Sequence, residues 1–376
     1  MAGIYVHIPF CRSKCFYCGF YSVASLHLRE PYVTALCREM ELRKAYLSAQ
    51  ETIDTLYFGG GTPSCLPEED IEIIIHNLTC HWKLSKQIEC SIELNPEDAT
   101  PDKLRGLRRL GFNRLTIGVQ SFNDHVLKQI NRTHTVARAL AAIEQAAGCG
   151  FDNIGIDLII GLPGYTTTDL EKDLCILNSL PLSHLSVYIL SIDNNSVFEK
   201  LLQKGKFKPW EDDVLAEQYL LVSDYMKNIG FEHYEISNFA KNSKYSRHNT
   251  AYWQQKRYIG LGAAAHSYDL DSRQWNISNI KTYIDTLSKD QLYFEKEILT
   301  KRDKYNEYIM TGLRTMWGVS LEVLTTEYAE FWKDVVRKKD EWIDRGFMRE
   351  TDRKLRLTER GWLISDDIFS GLFSLS

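Results

Sequence analysis

The sequence predicts an α/β fold, namely a partial (β/α)6-type barrel followed by a C-terminal α+β, winged-helix-like region. Short β-branched or aromatic runs alternate with segments of helical spacing through most of the chain. Such alternation favours parallel strands joined by crossovers, and six or seven units without an eighth favour an incomplete barrel. From about Lys301 the pattern changes to helices followed by two short strands.

Seven runs have the composition and length of strands: Gly3–Ile8, Thr55–Phe58, Cys90–Leu94, Arg114–Val119, Ile154–Ile160, Leu185–Ile192 and His233–Ile236. Six segments between them have helical spacing: Pro31–Leu47, Glu68–Leu78, Asp102–Leu110, Val136–Ala147, Asp169–Leu180 and Asp212–Lys227. An open doubly wound sheet would show the same alternation and stays an alternative to the barrel. In either case, polar residues at the carboxyl ends of the strands are the candidate site residues.

Beyond Lys301 we expect helices over Asp303–Met316 and Leu321–Asp344, a two-stranded wing that ends with Lys354–Leu357, and a last helix from Thr358. The expected division is a barrel over residues 1–240, a connecting region over 241–300 and a winged-helix-like domain over 301–376. The mixed charges of the last region favour a lid or docking role over DNA reading.

Composition limits the function classes. The 376 residues carry 45 Lys and Arg against 50 Asp and Glu, a formal charge of −5, so we expect no nucleic-acid partner. We also expect no signal peptide and no transmembrane segment. Nine cysteines argue against a disulfide framework, since three lie within eight residues. We expect a cytoplasmic location and six buried, reduced cysteines: Cys37, Cys65, Cys80, Cys90, Cys149 and Cys175.

The three remaining cysteines form the strongest motif. Cys11, Cys15 and Cys18 have C-x3-C-x2-C spacing and directly follow the first predicted strand. Three thiolates on a four-iron cube leave one iron free for another ligand, so the spacing indicates a [4Fe–4S] cluster. The alternatives are a zinc site, which would need a fourth ligand such as His7, or three unrelated cysteines.

With its neighbouring motifs, this sequence resembles the radical-SAM superfamily, and within it the anaerobic coproporphyrinogen oxidase family with its HemW-like haem chaperones. The resemblance rests on six segments: Tyr5-Val-His-Ile-Pro-Phe-Cys, Phe58-Gly-Gly-Gly-Thr-Pro, Ser91-Ile-Glu-Leu-Asn-Pro, Gly118-Val-Gln-Ser-Phe, Ile130-Asn-Arg and Ile156-Asp-Leu-Ile-Ile-Gly-Leu-Pro-Gly. It implies a radical-SAM barrel whose cluster binds S-adenosylmethionine (SAM) at the open iron, and an electron donor for that cluster.

The resemblance also assigns the SAM-binding residues. They are Tyr5, Tyr17, Gly60, Gly61, Thr62, Glu93, Gln120, Arg132 and Asp157. Glu93 can accept a hydrogen bond from an amine or a ribose hydroxyl, and Arg132 can pair with a carboxylate. A lone carboxylate near a strand end is more often a cap or a solvated residue, whereas several polar residues on neighbouring strand ends favour a ligand site.

Two features match the haem-chaperone branch. The dehydrogenases of the family continue the cluster motif as Cys-x-Cys after a long preceding segment, whereas here the motif continues as Cys18-Gly-Phe20 after ten residues. The segment from His248 to Trp253 matches an H-N-x-x-Y-W signature associated with haem, which implies His248 as axial ligand with Tyr252 and Trp253 flanking the ring. Taken alone, His248 would be an ordinary hydrogen-bonded histidine.

Basic residues surround this signature: Lys241, Lys244, Arg247, Lys256 and Arg257. They either pair with haem propionates or form a solvated loop. The resemblance therefore implies a haem chaperone that delivers haem to an unidentified acceptor protein. The alternatives are an oxygen-independent coproporphyrinogen III dehydrogenase and a structural cluster protein that binds no SAM. Gly260-x-Gly262-x-x-Ala265 resembles a dinucleotide fingerprint, but no βαβ unit surrounds it.

Overall fold

The structure is a computed structural model that describes residues 2–194 and 196–375. Six parallel strands form the centre of its main sheet in chain order, and they are β1 (Ala2–Ile8), β2 (Thr52–Gly60), β3 (Lys83–Leu94), β4 (Arg114–Gln120), β5 (Ile154–Ile160) and β6 (His184–Ile189). A doubly wound sheet reverses its strand order at a switch point. Because this order never reverses, the core is the predicted partial barrel, and no pairing among the described residues closes it.

Among the described residues of the barrel part there are eight α-helices, and they are α1 (Arg29–Arg43), α2 (Glu68–His81), α3 (Pro101–Arg109), α4 (Asp124–Gln129), α5 (Val136–Gly148), α6 (Thr167–Leu177), α7 (Val197–Gln203) and α8 (Asp212–Asn228). Their buried faces follow helical spacing, as in α2, where Ile71, Ile74 and Leu78 are fully buried. Each such side chain contributes about 1.5–3 kcal/mol by leaving water. The helical spacing read from the sequence therefore marks the buried faces of these helices.

The seventh predicted strand runs in the same direction as the sixth but does not pair with it, because another strand lies between them. It forms β7 (Glu232–Glu235), which pairs antiparallel with β8 (Asn238–Ala240), and β8 pairs antiparallel with β6. Only two residues separate β7 from β8, and a connection that short joins antiparallel strands. The parallel run therefore ends at β6.

The predicted connecting region extends the main sheet on its other side. It contains α9 (Arg247–Trp253), β9 (Tyr258–Leu261), β10 (His266–Tyr268), β11 (Ser272–Asn276), α10 (Ile280–Leu287) and β12 (Phe294–Ile298). Strand β9 runs parallel to β1, and β10 to β12 follow antiparallel. The chain turns from β9 into a strand, so the glycines there do not begin a dinucleotide-binding helix. The buried Arg43 of α1 donates to the Gly260 carbonyl at 2.9 Å and fastens this extension to the barrel.

The C-terminal region has the element order of a winged helix. It contains α11 (Lys301–Leu313), β13 (Val319–Ser320), α12 (Leu321–Thr326), α13 (Ala329–Asp344), β14 (Met348–Thr351), β15 (Lys354–Leu357), α14 (Glu359–Leu363) and α15 (Ser365–Leu372). Its sheet has three strands, because β13 pairs with β15 beside the predicted wing. The single helix predicted over Leu321–Asp344 is wrong: the helix breaks at Tyr328, whose ring packs 5.7 Å from those of Tyr305 and Tyr308.

The expectation that the six other cysteines are all buried is wrong. Cys65 and Cys90 are buried and Cys37 and Cys149 are half-buried, whereas Cys80 and Cys175 are exposed. Cys80 and Cys175 lie in the amphipathic helices α2 and α6, where the position on the helix decides exposure. Among the described residues, no helix combines the length and the apolar character needed to cross a bilayer.

Candidate cofactor site

The cysteine loop lies at the carboxyl end of β1, where several contacts hold it. Arg12 donates to Asp98 at 2.5 Å, and the Asn131 amide donates to the Lys14 carbonyl at 2.8 Å. Further along, the Phe16 backbone amide donates to the Ile130 carbonyl at 3.1 Å. Cys11, Cys15 and Cys18 all line one cavity of about 560 Å³ at this end of the barrel.

The three thiols influence one another electrostatically. Burial raises the pKa of Cys18, and Cys15 and Cys11 raise it further. Burial likewise raises the pKa of Cys11, with Cys15 adding to the rise. Thiols that repel one another's ionised form lie close together, and cluster iron relieves that repulsion because it binds thiolates. The loop therefore fits the predicted [4Fe–4S] cluster.

A zinc site is a poorer fit. In the parts of the chain that the structure describes, no three His, Cys, Asp or Glu side chains stand close enough to hold one metal ion. His7, the candidate fourth zinc ligand, has its Nδ1 atom 3.1 Å from the Tyr5 hydroxyl and its Nε2 atom 3.3 Å from the Tyr21 carbonyl. A four-iron cube places each thiolate on a separate iron, so its ligands need not meet at one point.

The glycines after β2 are needed for close packing against the cysteine loop. A Cβ atom on Gly61 would lie 2.7 Å from the Phe10 carbonyl oxygen and 3.0 Å from the Cys11 sulfur. Gly60 has a φ of +114°, and a Cβ there would meet the His7 ring. Thr62 is buried beside them and contacts the Cys11 sulfur at 3.6 Å. Gly60, Gly61 and Thr62 all line the cavity.

Two half-buried carboxyl groups, those of Glu93 and Asp157, line the same cavity. Burial raises the pKa of Glu93 to about 7, and the nearby Asp157 adds to the rise. Glu93 accepts hydrogen bonds from the Tyr57 hydroxyl at 2.8 Å and the Gly60 backbone amide at 3.2 Å, and both bonds lower its pKa. Burial also raises the pKa of Asp157 to about 6. Both groups thus titrate near neutral pH, which is typical of groups that bind or transfer protons.

Arg132 and Gln120 complete the predicted set. The Arg132 guanidinium donates to the Asn95 side-chain oxygen at 2.9 Å and contacts the Cys15 sulfur at 3.6 Å. Gln120 has a φ of +70°, a left-handed conformation that costs energy in a residue with a side chain. A Cβ on Gly118 would lie 2.9 Å from the Gln120 amide nitrogen, so this glycine leaves room for both side chains.

Four residues that line this cavity have a buried polar atom with no hydrogen-bond partner among the described residues. The atoms are the Ser22 hydroxyl, Glu97 Oε2, Asp157 Oδ1, an acceptor, and Arg132 Nε, a donor. Buried polar groups are nearly always satisfied by a partner, so these atoms indicate a missing ligand. SAM carries an ammonium group, a carboxylate and ribose hydroxyls, which supply both donors and acceptors. The cavity therefore fits SAM as well as the cluster.

Most of the predicted SAM residues meet in this cavity, and one does not. Tyr17, Gly60, Gly61, Thr62, Glu93, Gln120, Arg132 and Asp157 line it. Tyr5 lies beneath it, with its ring stacked 6.1 Å from that of Tyr57. The sequence reading missed Asn95, Tyr188 and Asp193, which also line the cavity. Tyr188 could have been found, because it lies near the carboxyl end of a predicted strand.

The haem signature lies elsewhere, in α9. His248 is 1% exposed, and its ring nitrogens lie 2.8 Å from the Thr55 hydroxyl and 2.7 Å from the Tyr252 hydroxyl. Burial lowers the pKa of His248 to about 3, so the ring is neutral. The Arg314 guanidinium lies 4.6 Å from the centre of the half-buried Trp253 ring. Both nitrogens of His248 are therefore engaged, and ligation of haem iron by this residue requires one of these hydrogen bonds to break.

The basic residues around the signature point in different directions. Lys244 pairs with Asp152 at 3.0 Å, and the Lys241 ammonium lies 5.1 Å from the centre of the Phe231 ring. Arg257 donates to the Asp269 carbonyl at 3.3 Å. Arg247 and Lys256 instead line a second cavity of about 260 Å³. The five residues thus do not form one cationic patch.

Comparisons with known proteins agree with these features. A family model described as the radical SAM superfamily matches residues 5–174, and one described as the HemN C-terminal domain matches residues 299–364. The heme chaperone HemW of Bacillus subtilis is 34% identical over 98% of each chain, and that of Lactococcus lactis is 31% identical over 97% of this chain and 95% of its own.

Among solved structures, coproporphyrinogen III oxidase (HemN) from Escherichia coli matches with a TM-score of 0.87. The match covers 100% of this chain and 90% of that chain at 23% identity. Likeness at this level of identity shows a shared fold, and function has to be argued from the site.

Proposed function

Because the chain belongs to the HemW family of heme chaperones, we propose that it binds haem and delivers it to an acceptor protein. A [4Fe–4S] cluster and exchangeable SAM occupy the cavity at the carboxyl ends of the strands. The observations behind this proposal are the near-full-length likeness to curated relatives and the cavity that the three cysteines share.

Within that cavity Cys11, Cys15 and Cys18 would hold the cluster, and three thiolates on a four-iron cluster would leave a place for SAM. Glu93 and Asp157 supply acceptors for the ammonium and ribose groups of SAM, and the free Nε atom of Arg132 supplies a donor. A reduced cluster of this kind can supply one electron to the sulfonium of SAM. The protein's own part is to orient SAM and to exclude water from these carboxyl groups.

The single observation that favours a chaperone over a dehydrogenase concerns Phe20. The related dehydrogenases have a further cysteine at the corresponding place, two residues after the last cluster cysteine. Here Phe20 lines the cavity and is 71% exposed. The apolar side chain of Phe20 offers no thiol at this place.

We further propose a cytoplasmic location, an electron donor for the cluster and a separate acceptor protein for haem. All nine cysteines are free thiols in the structure, which suits a reducing compartment. The electron donor follows from the chemistry of the cluster, because SAM cleavage consumes one electron per event.

Product analysis with coproporphyrinogen III tests the proposal against its main alternative. The reconstituted protein is incubated anaerobically with SAM, dithionite and coproporphyrinogen, and the porphyrins are separated after oxidation. We expect no decarboxylated product above that of a Cys11→Ser variant, with a known dehydrogenase as positive control. Clean formation of protoporphyrinogen would overturn the chaperone proposal.

A further inference from the structure

A second cavity lies at the opposite end of the barrel from the cysteines. It has a volume of about 260 Å³ and lies against Ala2 and Thr55, which belong to the amino-terminal parts of β1 and β2. One wall is α9, which contributes Arg247 and Thr250, and the C-terminal region contributes Trp317. Three parts of the chain thus meet around it.

The lining of this cavity is suited to an anion. Arg247 and Lys256 are exposed cations in its wall, against one acidic group, Asp54. The Lys256 side chain pairs with no other group among the described residues. The hydroxyl of Thr250, a residue only 9% exposed, also has no hydrogen-bond partner in the described part of the chain. An orphaned buried hydroxyl beside two cations indicates a ligand with acceptor atoms.

The cavity also presents aromatic surface. The rings of Tyr245 and Trp317 both line it and stand edge to face, with centroids 5.5 Å apart. Aromatic side chains bind flat apolar ligands well. The volume lies just below the usual range for a pocket that encloses a whole ligand, so it suits one edge of a larger planar molecule.

We propose that this cavity binds the propionate edge of haem, with Arg247, Lys256 and Thr250 holding the carboxylates and Trp317 and Tyr245 packing against the ring. This inference rests on the proposed haem-chaperone function. The cofactor cavity is less suitable for propionates, because four acidic residues line it against two cations: Glu93, Glu97, Asp157 and Asp193 against Lys14 and Arg132. Repulsion between like charges disfavours an anionic edge there.

The position of α9 brings this cavity close to His248. Arg247 and Thr250 line the cavity, while His248, which lies between them in the chain, points into the barrel and bonds Thr55. Thr55 itself also lines the cavity. A haem edge bound here would therefore lie beside the helix that carries the predicted axial ligand.

The test is an anaerobic haem titration of the full-length reconstituted protein, followed by absorbance. We expect Lys256→Gln and Arg247→Gln each to weaken haem binding about two- to fivefold, as partly exposed charge pairs do. Asp54→Asn should strengthen binding, because it removes the opposing charge. Lys281→Gln serves as the matched control, since Lys281 is exposed on α10 away from the cavity and should leave affinity unchanged.

Haem dimethyl ester separates the propionate contacts from the ring contacts. Lys256→Gln should not weaken binding of this ester, whereas Trp317→Leu should weaken the ester and haem alike, about three- to tenfold. If wild type binds haem and the three charge variants behave like Lys281→Gln, the cavity assignment is overturned while the chaperone function stands. If wild type binds no haem, both proposals are overturned.

Discussion

His248 stacks on Tyr57, with ring centroids 5.2 Å apart and planes inclined by 23°. The hydroxyl group of Tyr57 donates a hydrogen bond to Glu93, which lines the cofactor cavity. One buried chain of contacts thus joins the haem signature in α9 to the SAM site. Gly3 makes the arrangement possible, because a Cβ there would lie 3.2 Å from the His248 ring and 2.8 Å from the Thr55 hydroxyl.

The buried position of His248 predicts a structural effect that is separate from haem binding. His248→Ala should lower the free energy of unfolding by about 2–4 kcal/mol, because it empties a buried site and leaves the Thr55 and Tyr252 hydroxyls without partners. Chemical denaturation of the cofactor-free protein measures this. His76→Ala is the control, since His76 is exposed on α2. Equal stability of the two variants would contradict the buried placement.

An axial role for His248 needs a spectroscopic readout, because loss of stability alone can lower haem affinity. If His248 binds the iron, His248→Cys should shift the Soret band and change the electron paramagnetic resonance spectrum of ferric haem. Thr55→Ala serves as the comparison, because it removes a partner of the ring and leaves the imidazole in place. Identical spectra for His248→Cys and wild type would exclude His248 as the ligand.

The Glu93 carboxyl predicts that SAM binding depends on pH. Its pKa of about 7 means that the accepting carboxylate form becomes scarce below neutrality, so SAM should bind about tenfold more weakly at pH 6 than at pH 8. Tyr57→Phe removes a hydrogen bond that lowers this pKa, and the profile should move to higher pH. Equilibrium dialysis with labelled SAM measures both, and Glu93→Gln should remove the part of the dependence centred near pH 7 and leave the part that Asp157 contributes near pH 6. An unshifted profile in Tyr57→Phe would speak against this role of the bond.

Asp157 predicts a pH effect on the cofactor-free protein. Its folded pKa of about 6 lies above the ordinary value of 3.8, so the folded state holds the proton more tightly than the unfolded state. Stability from this group is therefore present at low pH and is lost as the pH rises from about 4 to 6. Asp157→Asn should raise the free energy of unfolding by about 1–3 kcal/mol at pH 8 while weakening SAM binding.

Urea denaturation at pH 5 and pH 8 checks the Asp157 prediction. Glu144→Gln makes the same type of change at an exposed position on α5 and should have little effect at either pH. If Asp157→Asn destabilises the protein at pH 8, the Asp157 carboxylate has a partner within the protein, and its position does not indicate a ligand site.

The close packing of Gly61 predicts a selective loss of the cluster. Gly61→Ala places a methyl group against the Phe10 carbonyl and the Cys11 sulfur, so iron and sulfide content after reconstitution should fall sharply. Gly148→Ala is the matched control, because a Cβ there meets nothing within 4 Å and alanine favours helix. Circular dichroism should show both variants folded. A full cluster in Gly61→Ala would contradict the close approach of the two loops.

Much of this arrangement could be predicted from the sequence, because strand and helix periodicity sets the barrel and its rim. Glu93 and Gln120 lie at the carboxyl ends of β3 and β4, so the strand pattern places them on the same rim. Asp157 lies in the middle of β5, and only the family resemblance assigned it to the site. The insertion of β8 between β6 and β7 depends on a hairpin that residue composition does not specify. The break at Tyr328 depends on aromatic contacts between distant positions, which periodicity does not report.

The haem signature shows most clearly what the sequence alone could not predict. The motif identifies His248 and its neighbours, but only the tertiary contacts reveal that the ring faces the barrel interior and bonds Thr55 and Tyr252. The basic residues beside it look like one patch in the sequence. Of these five residues, Arg247 and Lys256 line the second cavity, whereas Lys244 pairs with Asp152 and Lys241 lies over the Phe231 ring.

The most direct test of the chaperone function is a haem titration of the anaerobically reconstituted protein whose iron, sulfide and SAM contents have been measured on the same sample. We expect a [4Fe–4S] cluster that binds SAM and one haem bound per chain, with coproporphyrinogen left unchanged. No haem binding by protein with an intact cluster, together with conversion of coproporphyrinogen, would contradict that function and identify a dehydrogenase.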